Sequence, residues 1–291
     1  MTLEVRFWGT RGSIPSPGPD TVRYGGNTPC LEVRGPDGAL AILDAGTGLR
    51  GLGRHLLEVA GGAALSADIY LSHAHWDHIQ GLPFFAPLFA SGHRFRIRSA
   101  ADLRPRIERA VRAQMAPEVF PIPFEEVRAS IVFGVVGEDD AVDGFGVTTH
   151  HVRHPGGALG FRVSACNGRG PVLVYIPDNE LDPQAAYEAP ADWRDRLVAF
   201  VSGASLLVHD AMYTAEEAVV YRGWGHSSAE EAVDLACDAA VPRLALFHHR
   251  PERTDAEVDA LLERCRARAA ARGAELEITA AAEGASLVLS R

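Results

Sequence analysis

Residues 69–82 read Ile-Tyr-Leu-Ser-His-Ala-His-Trp-Asp-His-Ile-Gln-Gly-Leu, and this stretch restricts the fold more than any other in the chain. Ile69, Tyr70 and Leu71 are apolar, and His73, His75, Asp77 and His78 follow within six residues. The pattern predicts a buried strand that delivers four ligand-type side chains into a loop at its tip. Residues two apart in extended backbone point the same way, so His73 and His75 can pinch one cation. Asp77 and His78 leave on another heading, which suits a second cation close by. Neutral imidazole and carboxylate are the donors that zinc and similar divalent metals take. A polar surface loop has no need of so dense a set, so a metal site is the expectation.

The same residues carry a resemblance. Ser72-His73-Ala74-His75-Trp76-Asp77-His78 resembles the HxHxDH signature of the metallo-β-lactamase fold superfamily. With Gln80-Gly81-Leu82-Pro83-Phe84-Phe85 behind it, the Trp76 variant is similar to the phosphodiesterase-like and RNase Z-like branches. The resemblance implies an α/β fold of mixed sheets, a four-layer αββα sandwich with a two-metal hydrolase site at one edge. No repeat or composition break divides residues 1–291, which are read as one domain.

With 47% hydrophobic residues the chain can bury a substantial core, and disorder is not expected. Its net charge of -10 is the wrong sign for gripping long nucleic acid, although the many arginines leave room for local basic patches. Cys30, Cys166, Cys237 and Cys265 are scattered without CxxC pairing, so neither a zinc knuckle nor a disulfide framework is expected. The first residues lack a basic stretch with an apolar run behind it, and no apolar stretch approaches the ~18 residues of a membrane span. A cytoplasmic protein with no membrane partner is the simplest expectation, with a homodimer left open.

Along the chain, residues 3–8 alternate as a half-buried strand, and glycines and proline break it at residues 9–15. RNase Z-like enzymes have a similar Gly-Thr loop skirting the metal site, which gives Arg23 or Asn27 a direct role; otherwise the loop is a turn between hairpin strands. Asp44 follows an apolar strand at residues 39–43 and precedes a helix running to about residue 59. It either orients metal-site histidines, as the resemblance suggests, or caps that helix. Residues 81–89 are expected to start a helix under the site, with Phe84, Phe85 and Phe89 packed in the core. Residues 103–114 form a helix with an arginine face, and the Pro-rich residues 115–124 are a lid or an ordinary connection.

Further donors close later strands. His154 precedes Gly160 by six residues, resembling a family motif that His150 and His151 do not match. Residues 172–178 run from an apolar strand into Asp178, to which the resemblance assigns the bridge between two cations; Pro177 departs from the small residue often found there. His248 follows the apolar residues 244–247 and resembles the final ligand, with His249 as the alternative. His226, in Gly-His-Ser-Ser before a helix, resembles a proton donor or phosphate binder, and Ser227 or Ser228 caps that helix. Residues 255–272 form an amphipathic outer helix, and residues 278–289 one or two closing strands.

The implied ligand sets are His73, His75 and His154 for one metal, and Asp77, His78 and His248 for the other, with Asp178 between them. Zinc is the first expectation and manganese the second. A metal-bridging hydroxide would attack a small phosphodiester, cyclic ones included, with Asp77 and His226 as catalytic groups and His226 protonating the leaving alkoxide. Asn27, Asp44 and Ser227 are supporting or substrate-binding candidates. Two alternatives remain. An RNase Z-type tRNA 3′-processing endonuclease is weakened because residues 180–200 show no basic, glycine-rich arm. The other is a non-catalytic metal-binding or regulatory module.

Overall fold

Strand β1 (Thr2–Gly9) shows how the sequence builds the layers: Leu3, Val5 and Phe7 are buried while Glu4 faces water, so one side of an antiparallel ribbon becomes a core face. The computed structural model describes residues 2–137, 145–165 and 170–290. Beyond β1, the first sheet holds β2 (Cys30–Arg34), β3 (Leu40–Leu43), β4 (Ser66–Tyr70), β5 (Arg94–Ser99) and β6 (Ser130–Val135). The second holds β7 (Phe145–Val152), β8 (Ala158–Ala165), β9 (Val172–Ile176), β10 (Leu206–Asp210), β11 (Arg243–Phe247) and β12 (Glu277–Ala280). The last strand, β13 (Ser286–Ser290), returns to the first sheet, so the chain closes with two strands, β12 and β13, that join opposite sheets. The orders are β13-β1-β2-β3-β4-β5-β6 and β12-β11-β10-β9-β8-β7.

Both sheets are mixed. β3 to β6 run parallel, as do β9 to β12, whereas the β1–β2, β2–β3, β7–β8 and β8–β9 pairs are antiparallel. Phe7, Leu31, Leu43, Phe161, Leu173, Tyr175 and Phe247 fill the space between the sheets. Outside the first sheet, α1 (Gly48–Ala60) and α3 (Arg104–Ala113) cover Leu49, Leu52, Ile69, Phe95 and Ile107. A short α2 (Trp76–Ile79) follows β4. Outside the second sheet, α4 (Trp193–Val201), α6 (Ala229–Asp238) and α7 (Asp255–Ala271) enclose a third cluster around Ile176, Leu207, Val233 and Leu261, and α5 (Ala215–Val220) lies nearby. This is the four-layer αββα arrangement. Parallel strands place their carboxyl ends at one edge, where crevices form in open α/β sheets.

Residues 81–89 depart from the expected helix. They make two short 3-10 turns, Leu82–Phe84 and Ala86–Phe89, because Pro83 and Pro87 cannot donate backbone hydrogen bonds. Phe85 is fully buried against Phe95, ring centroids 5.0 Å apart, but Phe84 is mostly exposed and meets the edge of Phe120. Residues 115–124 are anchored at both ends, by buried Met115 and by Phe124 under the Arg112 guanidinium. Cys30, Cys237 and Cys265 are free thiols, and Cys166 lies outside the described residues. No helix among the described residues is long and apolar enough to cross a membrane.

Phe161 is fully buried where the two sheets meet. Phe161→Ala should therefore cost about 3–5 kcal/mol of stability in urea unfolding. A loss under about 1 kcal/mol would contradict a tightly packed layer between the sheets.

Candidate metal centre

The chain leaves β4 through Ser72, whose backbone N–H donates to Asp44 Oδ1 at 2.8 Å and whose hydroxyl donates to the same carboxylate at 2.9 Å. His75 is still extended and stands at the N-cap of α2, so Asp77 and His78 lie on the helix while His73 and His75 precede it. His154 comes from the turn between β7 and β8, Asp178 from the tip of β9 and His248 from the tip of β11. The ligand-type atoms of His73, His75, His154 and Asp178 lie within 4.8 Å of one another, as do those of Asp77, His78 and His248. His226, near the start of α6, clusters in the same way with Asp178 and His248.

Asp178 stands between the two sets. Its Oδ2 faces His73 Nε2 and His154 Nε2, each at 3.6 Å, and its Oδ1 faces His78 Nε2 at 3.1 Å and His248 Nε2 at 3.3 Å. Asp77 Oδ2 lies 3.2 Å from His248 Nε2 and 3.3 Å from His78 Nε2. His73 Nε2, His78 Nε2 and Asp178 Oδ1 are buried without a hydrogen bond. Orphaned buried donors and acceptors are costly, and here they converge on shared spaces lined by imidazole and carboxylate, which fits two divalent cations.

A second ring of contacts orients these groups. Asp44 Oδ2 lies 2.8 Å from His78 Nδ1 and accepts from the Tyr175 hydroxyl at 2.9 Å, tying both sheets to one carboxylate. Asp44 does not cap α1, whose N-cap is Thr47. His154 Nδ1 donates to Gly225 O at 2.9 Å, which leaves Nε2 bare toward Asp178. A Cβ on Gly225 would lie 2.2 Å from that Nδ1, and one on Gly12 would lie 2.5 Å from His248 Nδ1. Ser13 donates its backbone N–H to Asp77 Oδ2 at 2.8 Å. Ser13, Asp44 and His248 all have φ near 60°, a conformation that costs non-glycine residues free energy and that clusters at functional sites.

Burial pushes His73 well below its ordinary range, with His78 adding to the effect, and it lowers His75 as well. It takes His154 down to about 4 despite the opposing pull of Asp178. These three are therefore neutral, the form that binds metal. Burial would also lower His78, but Asp178, Asp77 and Asp44 raise it well above its ordinary value. Asp77 and Asp178 remain well below the usual carboxylate range, because neighbouring histidines outweigh the penalty of burial. His226 behaves differently: burial lowers it, but Asp210 Oδ2, 2.9 Å from its Nδ1, brings it up to about 9.

Other expected residues lie elsewhere. Asn27 donates its backbone N–H and side-chain amide to Glu283 at 2.5 and 2.9 Å, and its carbonyl accepts from Thr10 and Arg11. It shapes the loop that presents Ser13 and does not join the cluster. Arg23 pairs with Asp255 and Asp259 at the surface. His150 stacks on Phe200, His151 lies 3.6 Å from Asp102, and His249 Nε2 donates to Ala281 O at 2.9 Å. Ser227 is not the cap; Ser228 is, while Ser227 Oγ donates to Asn179 O at 2.5 Å and its N–H to Asp210. Asp210, Ser13 and Glu180 did not stand out in the sequence. Asp210 ends an apolar strand as Asp178 does, which was a usable signal; Glu180, which accepts from Gly223 N and Gly225 N at 2.8 Å, offered none.

A family model described as the beta-lactamase superfamily domain matches residues 41–249. The Ribonuclease Z of Haloarcula marismortui is 27% identical over 310 residues, covering 91% of this chain and 92% of that protein. The crystal structure of the metallo-beta-lactamase fold protein YhfI from Bacillus subtilis matches with a TM-score of 0.67 at 18% identity, over 99% of each chain. That of yeast PDE1 matches with a TM-score of 0.70 at 14% identity, over 100% of this chain and 99% of the other. At such identities the two structures speak to the fold, and they agree with the layered sandwich described above.

Asp44→Asn keeps the size of the side chain, and asparagine tolerates positive φ, but the amide cannot accept every donor the carboxylate now serves. Metal affinity, read by competition with a chelator, should fall about 10–100-fold. Unchanged affinity would mean that Asp44 does not orient His78.

Proposed function

The chain belongs to the beta-lactamase superfamily and is a metal-dependent hydrolase, and from that premise we propose that it is a dinuclear phosphodiesterase acting on small phosphodiesters, cyclic ones included. The observation that carries this reading is the Asp210–His226 pair beside the ligand cluster: Asp210 Oδ2 lies 2.9 Å from His226 Nδ1 and favours the protonated imidazole, whose ring is 5.0 Å from that of His248. A phosphodiester leaves as an alkoxide, which needs a proton, and a non-catalytic metal-binding module would have no use for such a donor.

In this reading His73, His75, His154 and Asp178 would hold one cation, and Asp77, His78 and His248 would hold the other. Zinc is the metal proposed, with manganese as the alternative, because the donors are imidazole nitrogens and carboxylate oxygens. When bound, a divalent pair supplies a nucleophile from water at neutral pH and offsets charge on the phosphoryl oxygens. The chain does the rest. Asp210 orients His226 through Nδ1, so Nε2 carries the proton offered to the leaving oxygen. Ser13 N–H holds Asp77 in place, and the Asp44–Tyr175 contact fixes His78.

Surface charge supports a small substrate. The arginines of α3 and α7 that could form a basic stripe are largely paired with acids: Arg104 and Arg112 with Glu108, Arg264 with Glu216 and Glu230, and Arg268 and Arg272 with Asp234. The chain as a whole carries -10. The relative named Ribonuclease Z favours a second reading, a nuclease that processes tRNA precursors. Purified, metal-loaded protein assayed on chromogenic phosphodiesters, cyclic nucleotides and a precursor tRNA separates the two readings. Efficient, strongly salt-dependent tRNA cleavage with poor turnover of the small esters would favour the nuclease.

His226→Ala should retain its metal and fold. Turnover should fall about 10²–10⁴-fold on an alkyl phosphodiester and much less on a nitrophenyl one, whose leaving group needs little protonation. Equal losses on both would assign His226 to phosphate binding, and loss of metal would make it a ligand.

A further inference from the structure

Two tryptophans stand exposed at the rim of the cluster, Trp76 at 68% and Trp224 at 64%. Trp76 lies between His75 and Asp77 in the chain, and Trp224 precedes Gly225, whose carbonyl accepts from His154 at 2.9 Å. His75 Nδ1 and His154 Nε2 are themselves 2.9 Å apart, so the backbone beside each tryptophan meets one member of the same imidazole pair. His73, His78, His154 and His248 are buried, whereas His75 and His226 are partly exposed. The two partly exposed imidazoles, His75 and His226, are thus one position from Trp76 and two from Trp224 in the chain.

Neither indole is carried on a loose segment. Trp76 begins α2 and its carbonyl accepts from Gln80 N at 2.8 Å. Glu180 accepts from the N–H groups on either side of Trp224, at Gly223 and Gly225. The Trp224 ring rests against Tyr221 at 5.5 Å, Tyr221 stacks on Tyr213 at 5.0 Å, and Tyr213 meets His226 at 5.9 Å. The Arg106 guanidinium reaches the same rim, where Nη1 donates to Gly156 O at 2.8 Å, two residues beyond His154.

Resting on the phosphodiesterase reading, we propose that Trp76 and Trp224 form a stacking platform for the nucleobase attached next to the scissile phosphate. A phosphate seated on the cluster must send its ester groups out over this rim. A simple alkyl group gains little from flat indole faces, but every base presents a π-face to them, and Arg106 adds a cation suited to a nucleotide's anionic backbone. The base could belong to a free nucleotide or to the end of a strand.

The test compares thymidine p-nitrophenyl phosphate with methyl p-nitrophenyl phosphate, which share a leaving group and differ in the retained ester. Wild type should prefer the nucleoside ester, chiefly through KM. Trp76→Ala and Trp224→Ala should each cut that preference by about tenfold, again through KM, and Trp224→Phe should restore most of it. Equal losses on both esters, or an unchanged preference, would overturn the platform. Quenching of tryptophan emission by thymidine monophosphate is a readout that needs no turnover; it should weaken in each alanine variant, and quenching that survives in both would also overturn the proposal. If neither ester is hydrolysed, the phosphodiesterase reading fails while quenching still judges the platform. A short oligoribonucleotide in place of thymidine monophosphate distinguishes a strand end from a free nucleotide as the source of the base, and tighter quenching by either supports the platform.

Discussion

The site depends on one buried carboxylate placed between two groups of imidazoles. Asp178 is 2% exposed, and removing such a charge from water without compensation is strongly unfavourable. Its two oxygens face opposite ways, one toward His73 and His154 and the other toward His78 and His248. Two cations held close together would repel each other, and a shared carboxylate is the simplest means of offsetting that repulsion. Remove it, and the set of His73, His75 and His154 keeps no carboxylate to balance an ion, while the other keeps only Asp77.

The layered fold is what makes this placement available. Strand β4 belongs to one sheet, β9 to β11 to the other, and their carboxyl ends meet along one edge. Asp44 links the two sheets there through His78 and Tyr175. The local conformation is unfavourable: Ser13, Asp44 and His248 all adopt left-handed backbone, and Gly12 and Gly225 leave no room for a side chain. The large apolar interior between the sheets, with Phe7, Phe161, Tyr175 and Phe247 within it, supplies the stability that lets such strain persist.

Much of this was legible because it is local. A run of apolar residues ending in a carboxylate or histidine marks a strand tip whatever the rest of the chain does, which is why residues 69–78, 172–178 and 244–248 stood out. The helices α1 and α7 were likewise read from single stretches of chain. What could not be read depends on contacts between distant segments. Asp210 matters because His226, sixteen positions later, folds back onto it. Glu180 matters because it holds the Gly223–Gly225 loop. Asn27 looked like a site residue from its loop, yet Glu283 near the other end of the chain takes both its donors. The helix expected at residues 81–89 failed for a local reason, since two prolines outweighed an apolar pattern.

Metal stoichiometry tests the central claim most directly, because it bears on the paired cluster before any substrate is chosen. Elemental analysis of the purified protein should give two divalent cations per chain, and Asp178→Ala, still folded by circular dichroism, should retain at most one. One tightly held metal in the wild type, unchanged in Asp178→Ala, would contradict a site built around that carboxylate.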